Sequence, residues 1–411
     1  MQQIKDGFCS VHVLSTCTRN SAMRNISDTI ARLSAFREHA LSQVPSESRG
    51  RLRPKEDFGS NPGDLRAYTY IPENLPAQAP LVVVLHGCTQ SAAGYDIGSG
   101  WSEMADRYGF ALLFPEQQRQ NNPNLCFNWF SPGDSRRNCG EALSIRQMIQ
   151  AFESDHPIDT GRVFVTGLSA GGAMAAVMLA TYPEVFAGGA IIAGLAYGCA
   201  ASVPQAFDRM RGHAIPETGK LASLARGASE CNGPWPSVSV WQGSADATVS
   251  ACNADAILSQ WGALHEVGPH PDRIENIGGH QRRVWCDADG REVMEAYSIA
   301  GMAHGTPLDT SGENGCGKSG AFMLEAGISS TDRICMFWGL ADDRTRGIFA
   351  PAAGPTLSES RDLARSRSLS KAGSTGAVPI YPAPLPHPAN YKQGAVRKVI
   401  EDALRAAGLM P

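Results

Sequence analysis

Apolar residues along this chain gather in short unbroken runs rather than alternating with polar ones. LVVVL at Leu81–Leu85, FALLF at Phe110–Phe114, RVFVT at Arg162–Thr166, and the runs Gly189–Ile192, Val238–Trp241 and Met294–Ala300 each read as a strand. A run rich in β-branched residues without polar alternation is what a parallel strand covered on both faces requires. Between the runs, helical patterns occupy Trp101–Tyr108, Glu141–Glu153 and Ala170–Thr181. Strand–helix alternation of this kind predicts the α/β class: a mostly parallel central sheet with right-handed crossovers and helices on both faces.

Outside that core the pattern changes. Residues 1–64 read as an N-terminal extension. In it, Ile26, Ile30, Leu33, Phe36 and Leu41 predict an amphipathic helix over 26–44, with Asn25 or Ser27 as its cap, and the polar, Ser/Pro/Gly-rich stretch 45–64 predicts a linker. The α/β core is expected over 65–345. Residues 346–411 follow as a Pro/Ser/Ala-rich segment, densest over 351–389, with a closing helix over 390–409. No internal repeat is visible.

Of the 411 residues, 43% are apolar and only 18% charged, with a net charge of −4. That balance supplies a sizeable core and argues against a basic nucleic-acid binder or a disordered chain. The weakly charged stretch from Ala170 to Ala201 is broken by Pro183 and several glycines, so it reads as a helix followed by a buried strand, and no membrane span is expected. Residues 1–22 contain Lys5, Asp6, Cys9, Cys17 and Arg19 and lack the apolar core of a Sec signal; they read as an unstructured extension or as residues ahead of a true start at Met23. Eleven cysteines include no Cys-x-x-Cys pair, and the odd number leaves at least one thiol unpaired. Cys126 and Cys139, which flank a short Gly/Pro/Asn-rich loop, are the pair expected to be bridged; small buried hydrophobes are the alternative role for most of the rest.

The chemistry is carried by Gly167-Leu168-Ser169-Ala170-Gly171, directly after the strand RVFVT and directly before the helix AMAAVMLA. This is the setting of a nucleophile elbow, in which flanking glycines let backbones approach closely enough to hold the serine in a sharp, strained turn. A nucleophilic serine needs a base, a group that orients the base, and donors for the oxyanion. His304, in a Gly-rich loop after the strand Met294–Ala300, is the expected base, preferred to His265, His270 and His280; Gly278-Gly279-His280 precedes that strand instead of following it. Asp246, just past the strand Val238–Trp241, is the expected orienting acid, preferred to Asp255, Asp272, Asp287 and Asp289. The chain order Ser, acid, His is the one this elbow predicts. The oxyanion donors are expected to be the backbone amides of Ala170 and of Cys88, which follows LVVVL in His86-Gly87-Cys88; His86 is expected to be structural. Trp129, in the aromatic cluster Phe127-Asn128-Trp129-Phe130, is a candidate to line a substrate pocket, with a core-and-lid role as the alternative.

Two further possibilities are weighed against this. Gly312 to Ser319 spells a phosphate-loop pattern, Gly-x-x-x-x-Gly-Lys-Ser, but Gly305–Asp309 ahead of it is a poor strand, Gly320 opens only a weak helix, and Glu313 sets a carboxylate where a phosphate would sit. No nucleotide partner is expected. The scattered histidines form no metal motif, and no cofactor is expected.

Taken together, LVVVLHGCTQSAAGYD, FPEQQ, NLCFNWF, the Gly-Leu-Ser-Ala-Gly-Gly box, TYPEVFAGGAIIAG, WQGSAD and GMAHGTP resemble the polyhydroxybutyrate depolymerase family of esterases and the related feruloyl and acetylxylan esterases, over roughly residues 64–340. The resemblance implies an α/β-hydrolase fold, a Ser–Asp–His triad carried onto Ser169, Asp246 and His304, and serine esterase activity. The substrates it implies are poly(3-hydroxybutyrate)-type polyester or its oligomers, with plant cell-wall feruloyl or acetylxylan esters as the alternative. It also implies an extracellular site of action, to which the missing Sec pattern opposes a cytoplasmic one. Polymer-degrading members often append a polymer-adsorbing module. The residues after His304 show no strand-rich segment of that sort, so soluble oligomers, amorphous granules and small esters are the expected substrates rather than crystalline polymer.

Overall fold

Every strand expected from an unbroken apolar run is present in the computed structural model, which describes residues 50–311 and 315–341. The strands are β1 (Arg53–Lys55), β2 (Arg66–Tyr70), β3 (Ala79–Leu85), β4 (Ala111–Glu116), β5 (Ile158–Leu168), β6 (Gly188–Ile192), β7 (Ser237–Gly243), β8 (Arg273–Ile277), β9 (His280–Cys286), β10 (Glu292–Ile299), β11 (Thr306–Leu308) and β12 (Met323–Glu325). The first ten form one sheet in the order β1-β2-β4-β3-β5-β6-β7-β10-β9-β8, and β11 and β12 pair separately. Strands from β4 across to β10 run parallel, while β1, β2, β9 and β8 join antiparallel at the two margins. This is the expected α/β-hydrolase architecture, widened at both edges.

The apolar runs are continuous because the sheet separates two cores. In β3, Leu81, Val83 and Leu85 face one layer and Val82 and Val84 the other, and all five are buried. Three helices, α1 (Ala92–Ser99), α2 (Trp101–Tyr108) and, near the end of the described chain, Ser330–Phe337, supply Tyr95, Trp101, Met104 and Ile334 to the second layer. The first layer is built by α3 (Gly140–Asp155) and α4 (Ala170–Thr181), joined by α5 (Val203–Met210), α6 (Thr218–Arg226) and α7 (Cys252–His265). All twelve residues of α4 are buried, which explains a helix with no charged side chain on any face.

Several expectations need correction. The stretch 45–64 is not wholly a linker, because Arg53–Lys55 pairs with Thr69, Tyr68 and Ala67 of β2 and so joins the sheet. Cys126 is bonded to Cys88, 38 residues away, and Cys139 is a free, exposed thiol. Lys318 is followed not by a helix but by a turn and strand β12, with Gly320 bridged to Met323, so a strand–loop–strand replaces the strand–loop–helix a phosphate loop needs. The expected helices at 26–44 and 390–409, the segment 351–389 and Gly312–Asn314 lie outside the described residues. Among the described residues, no helix is long and apolar enough to cross a membrane.

Candidate active site

Three side chains from the carboxyl ends of β5, β7 and β10 meet at one rim of the sheet. Ser169 stands between β5 and α4 at φ 57° and ψ −116°, a conformation that a residue with a Cβ adopts only under strain. Its backbone amide donates to the Ile192 carbonyl of β6 at 2.8 Å, which pins the turn. The glycines make room for it. A Cβ on Gly171 would overlap the Leu85 carbonyl oxygen and stand 2.5 Å from that of His86; one on Gly167 would overlap Gly171. The first turn of α4 is thereby pressed against the exit of β3, the strand whose neighbours β4 and β5 diverge in chain order. Such a switch point, beyond the carboxyl ends of parallel strands, is where open α/β sheets build their sites.

His304 Nε2 lies 2.9 Å from Ser169 Oγ, and His304 Nδ1 lies 2.7 Å from Asp246 Oδ2. Asp246 and His304 are brought together by the parallel pairing of β7 with β10, which ends at Gly243 opposite Ile299. Beyond the strands the two loops are stitched by the Ser244 amide to the Ile299 carbonyl, the Ala245 amide to the Met302 carbonyl, and the Gly301 amide to Ser244 Oγ. The Asp246 carboxylate is buried and saturated: Oδ1 accepts from the Thr248 and Val249 amides at 2.8 and 2.9 Å, and Oδ2 also accepts from Gln242 Nε2 at 3.0 Å. These donors hold it aimed at the imidazole. The rival histidines are elsewhere: His265 Nε2 faces the Pro236 carbonyl, and His280 faces the Ala326 carbonyl and the Ala300 amide.

The amides of Cys88 and Ala170 donate to no acceptor among the described residues. The Cys88 loop is held from several directions. Its thiol is bonded to Cys126, the Gly87 amide donates to Gln90 Oε1 at 2.8 Å, and the Thr89 amide donates to the Asn124 carbonyl at 2.7 Å. His86 is fully buried; its Nε2 accepts from the Gln117 amide at 3.1 Å and its Nδ1 donates to the Gly87 carbonyl at 2.8 Å. Burial pushes its pKa down to about 4, so it is a neutral structural imidazole. Trp129 is buried in the first core layer, edge-on to Phe130 at 5.5 Å, so its ring packs as part of the core.

One feature of the site is absent from the sequence reading. Glu141, in the first turn of α3, is a buried carboxyl whose partners are Gln117 and Asn128. Its place in a helical pattern resembles that of any surface glutamate, so only the packing reveals it. A shallow groove lined by Thr89, Gln90, Ile97, Lys318 and Met323 opens beside the Cys88 loop. A larger hollow, lined by Arg226, Trp235, His265 and Arg291, lies at the opposite end of β7 from Asp246. Among the described residues, no group of three His, Cys, Asp or Glu side chains is placed to hold a metal ion.

Residues 67–268 match the family described as esterase PHB depolymerase. The chain is 45% identical over 307 residues to poly(3-hydroxyalkanoate) depolymerase C of Paucimonas lemoignei, covering 74% of each protein. It is 31% identical over 269 residues to feruloyl esterase B of Talaromyces funiculosus, covering 63% of this chain and 74% of that one. Among solved structures it is similar to an acetyl xylan esterase from Aspergillus awamori, with a TM-score of 0.60 and 26% identity, over 71% of this chain and all of that one.

Proposed function

The chain belongs to the esterase PHB depolymerase family and is a carboxylic ester hydrolase, and on that premise we propose that it cleaves hydroxyalkanoate polyester or its oligomers through an acyl-enzyme on Ser169. The observation that carries the reading is the unbroken hydrogen-bonded line from Asp246 through His304 to the Ser169 hydroxyl. In the proposed reaction, Ser169 Oγ attacks the ester carbonyl as its proton passes to His304 Nε2. Asp246 fixes the tautomer with the proton on Nδ1 and stabilises the imidazolium that forms. Collapse of the tetrahedral intermediate expels the alcohol with the proton from Nε2. Water, activated by the same nitrogen, then releases the acid.

The amides of Cys88 and Ala170 are the proposed oxyanion donors, each worth about 3 kcal/mol in the transition state. Their lack of acceptors among the described residues supports this role, because a donor already engaged must break a bond before it can act. The groove beside Cys88 is shallow and open, suited to a chain-like ester rather than to an enclosed small molecule. Polyester is favoured over cell-wall esters by the depolymerase relative, which is more similar in sequence and coverage than the feruloyl esterase. An extracellular site of action is proposed with it, since the Cys88–Cys126 bond forms and persists under oxidising conditions.

The test is turnover of 3-hydroxybutyrate oligomers measured beside methyl ferulate and acetylated xylan. The reading expects the highest kcat/KM on the hydroxyacid oligomers. A preference for methyl ferulate or acetylated xylan would transfer the assignment to cell-wall esters.

A further inference from the structure

Glu141 takes no part in the chemistry above, yet its side chain is bound entirely to the segment that adjoins the Cys88 loop. It is 1% exposed. Its Oε2 accepts from the Asn128 backbone amide at 2.8 Å, and its Oε1 accepts from Asn128 Nδ2 at 2.8 Å and Gln117 Nε2 at 2.6 Å. Gln117 reaches the Cys88 loop by two routes. Its backbone amide donates to His86 Nε2, whose other nitrogen holds the Gly87 carbonyl, and its Nε2 donates to the Cys126 carbonyl at 3.1 Å. Cys126 is in turn bonded to Cys88. The remaining acceptor of Gln117, Oε1, is occupied by the Gln118 amide and by Asn121 Nδ2.

We infer that Glu141 is a positioning residue for the oxyanion hole: through Gln117 and Asn128 it fixes both flanks of Cys126, and through the disulfide it fixes the direction of the Cys88 amide. The inference rests on the proposal that this amide receives the oxyanion. Its physical basis is that three N–H donors converge on one buried group, so only a group that accepts on every side satisfies them. A carboxylate does so. An amide of the same shape turns its NH2 against at least one of the donors, and a protonated carboxyl presents a hydrogen where a donor already points. Burial, reinforced by the charge of Asp134, pushes the Glu141 pKa up to about 8 against the pull of those donors. On the far side of Gln117, His86 is neutral and adds no charge to the balance. The grip on the loop therefore tightens as Glu141 ionises.

The test uses the full chain with a p-nitrophenyl ester, from about pH 5 to about pH 9, with thermal unfolding measured alongside. Two variants are compared, Glu141→Gln and the milder Asn128→Ala, which removes one side-chain donor and leaves the carboxyl in place. At the alkaline end, kcat is expected to fall about tenfold or more in Glu141→Gln and less in Asn128→Ala, with KM within about twofold, because a displaced oxyanion donor is missed mainly in the transition state. The alkaline rise in kcat that follows ionisation of Glu141 is expected to vanish in Glu141→Gln and to persist in Asn128→Ala. A native kcat and pH profile in both folded variants would overturn the inference, as would losses that merely track the unfolded fraction. Ser169→Ala, run in the same series, separates the two proposals: if it is inactive while both variants keep native kcat, only the role of Glu141 falls. If it stays active, the parent reading falls.

Discussion

Ser169 and His304 are 135 residues apart in the chain, and their reactive atoms are 2.9 Å apart in the fold. The contact depends on β5 and β10 ending at the same rim, with β6 and β7 between them. It predicts that Ser169→Ala lowers ester turnover by about four orders of magnitude or more while leaving far-UV circular dichroism and cooperative unfolding intact. Retained turnover in a clean preparation would remove Ser169 as nucleophile.

The strain at Ser169 makes a second prediction. At φ 57° a side chain costs on the order of 1–3 kcal/mol, and glycine is free of most of that penalty. Ser169→Gly should therefore unfold at a higher temperature than Ser169→Ala although neither turns over ester. Equal melting temperatures would mean that the elbow is not under strain.

Asp246 is bound by three N–H donors besides the imidazole. In Asp246→Asn an amide N–H must face a donor, and the tautomer of His304 is no longer fixed. The expected outcome is a loss in kcat of about 10⁴, with stability lowered by about 1–3 kcal/mol in urea titration. A variant with native kcat would exclude Asp246 as the orienting acid.

The Cys88–Cys126 bond closes a loop spanning 38 residues. Chain-entropy arithmetic for a loop of that length gives about 4 kcal/mol. Cys126→Ser is expected to lower stability by an amount of that order and to reduce kcat more than it raises KM. Dithiothreitol should do the same to the native protein and have no further effect on the variant.

His86 gives stability a pH dependence. Its pKa falls from 6.5 in the unfolded chain to about 4 in the fold, so the unfolded state binds the proton first and stability is lost as pH drops through that window. The loss is on the order of 3 kcal/mol. Glu141, with its pKa raised, acts in the opposite sense between its ordinary 4.5 and about 8. The measurement is therefore a difference: between pH 6.5 and 4, the native protein should lose stability relative to His86→Gln, in which the Glu141 contribution is unchanged.

What the sequence revealed divides along physical lines. Strands β3 to β7 and β10 were legible because burial on both faces leaves apolar runs that nothing interrupts. The outer strands β8 and β9 were not, since Arg273, Glu275, Arg282 and Arg283 alternate along them, and several of these charges pair with one another or with Glu292 and Glu295 rather than mark a loop. Helix α7 lacked a signal because Ala251 at its cap makes no side-chain hydrogen bond. Ser169 was visible through its strand–glycine–helix setting, and Asp246 and His304 through their places after strands. The partner of Cys126 was hidden, because nearness in sequence favoured Cys139, whereas the fold returns the 117–130 loop to the end of β3. A local pattern reports which face of an element is covered; it does not report which distant loop covers it.

Because β3 to β7 and β10 all point one way, their carboxyl ends share one rim of the sheet and their amino ends the other. Strand β7 begins at Ser237, beside the hollow that holds Trp235, and runs seven residues toward the loop of Asp246. At about 3.3 Å per residue the two ends are roughly 20 Å apart. A surface anchor or fused cargo attached at the Trp235 end would leave the rim that carries Ser169, Asp246 and His304 facing outward.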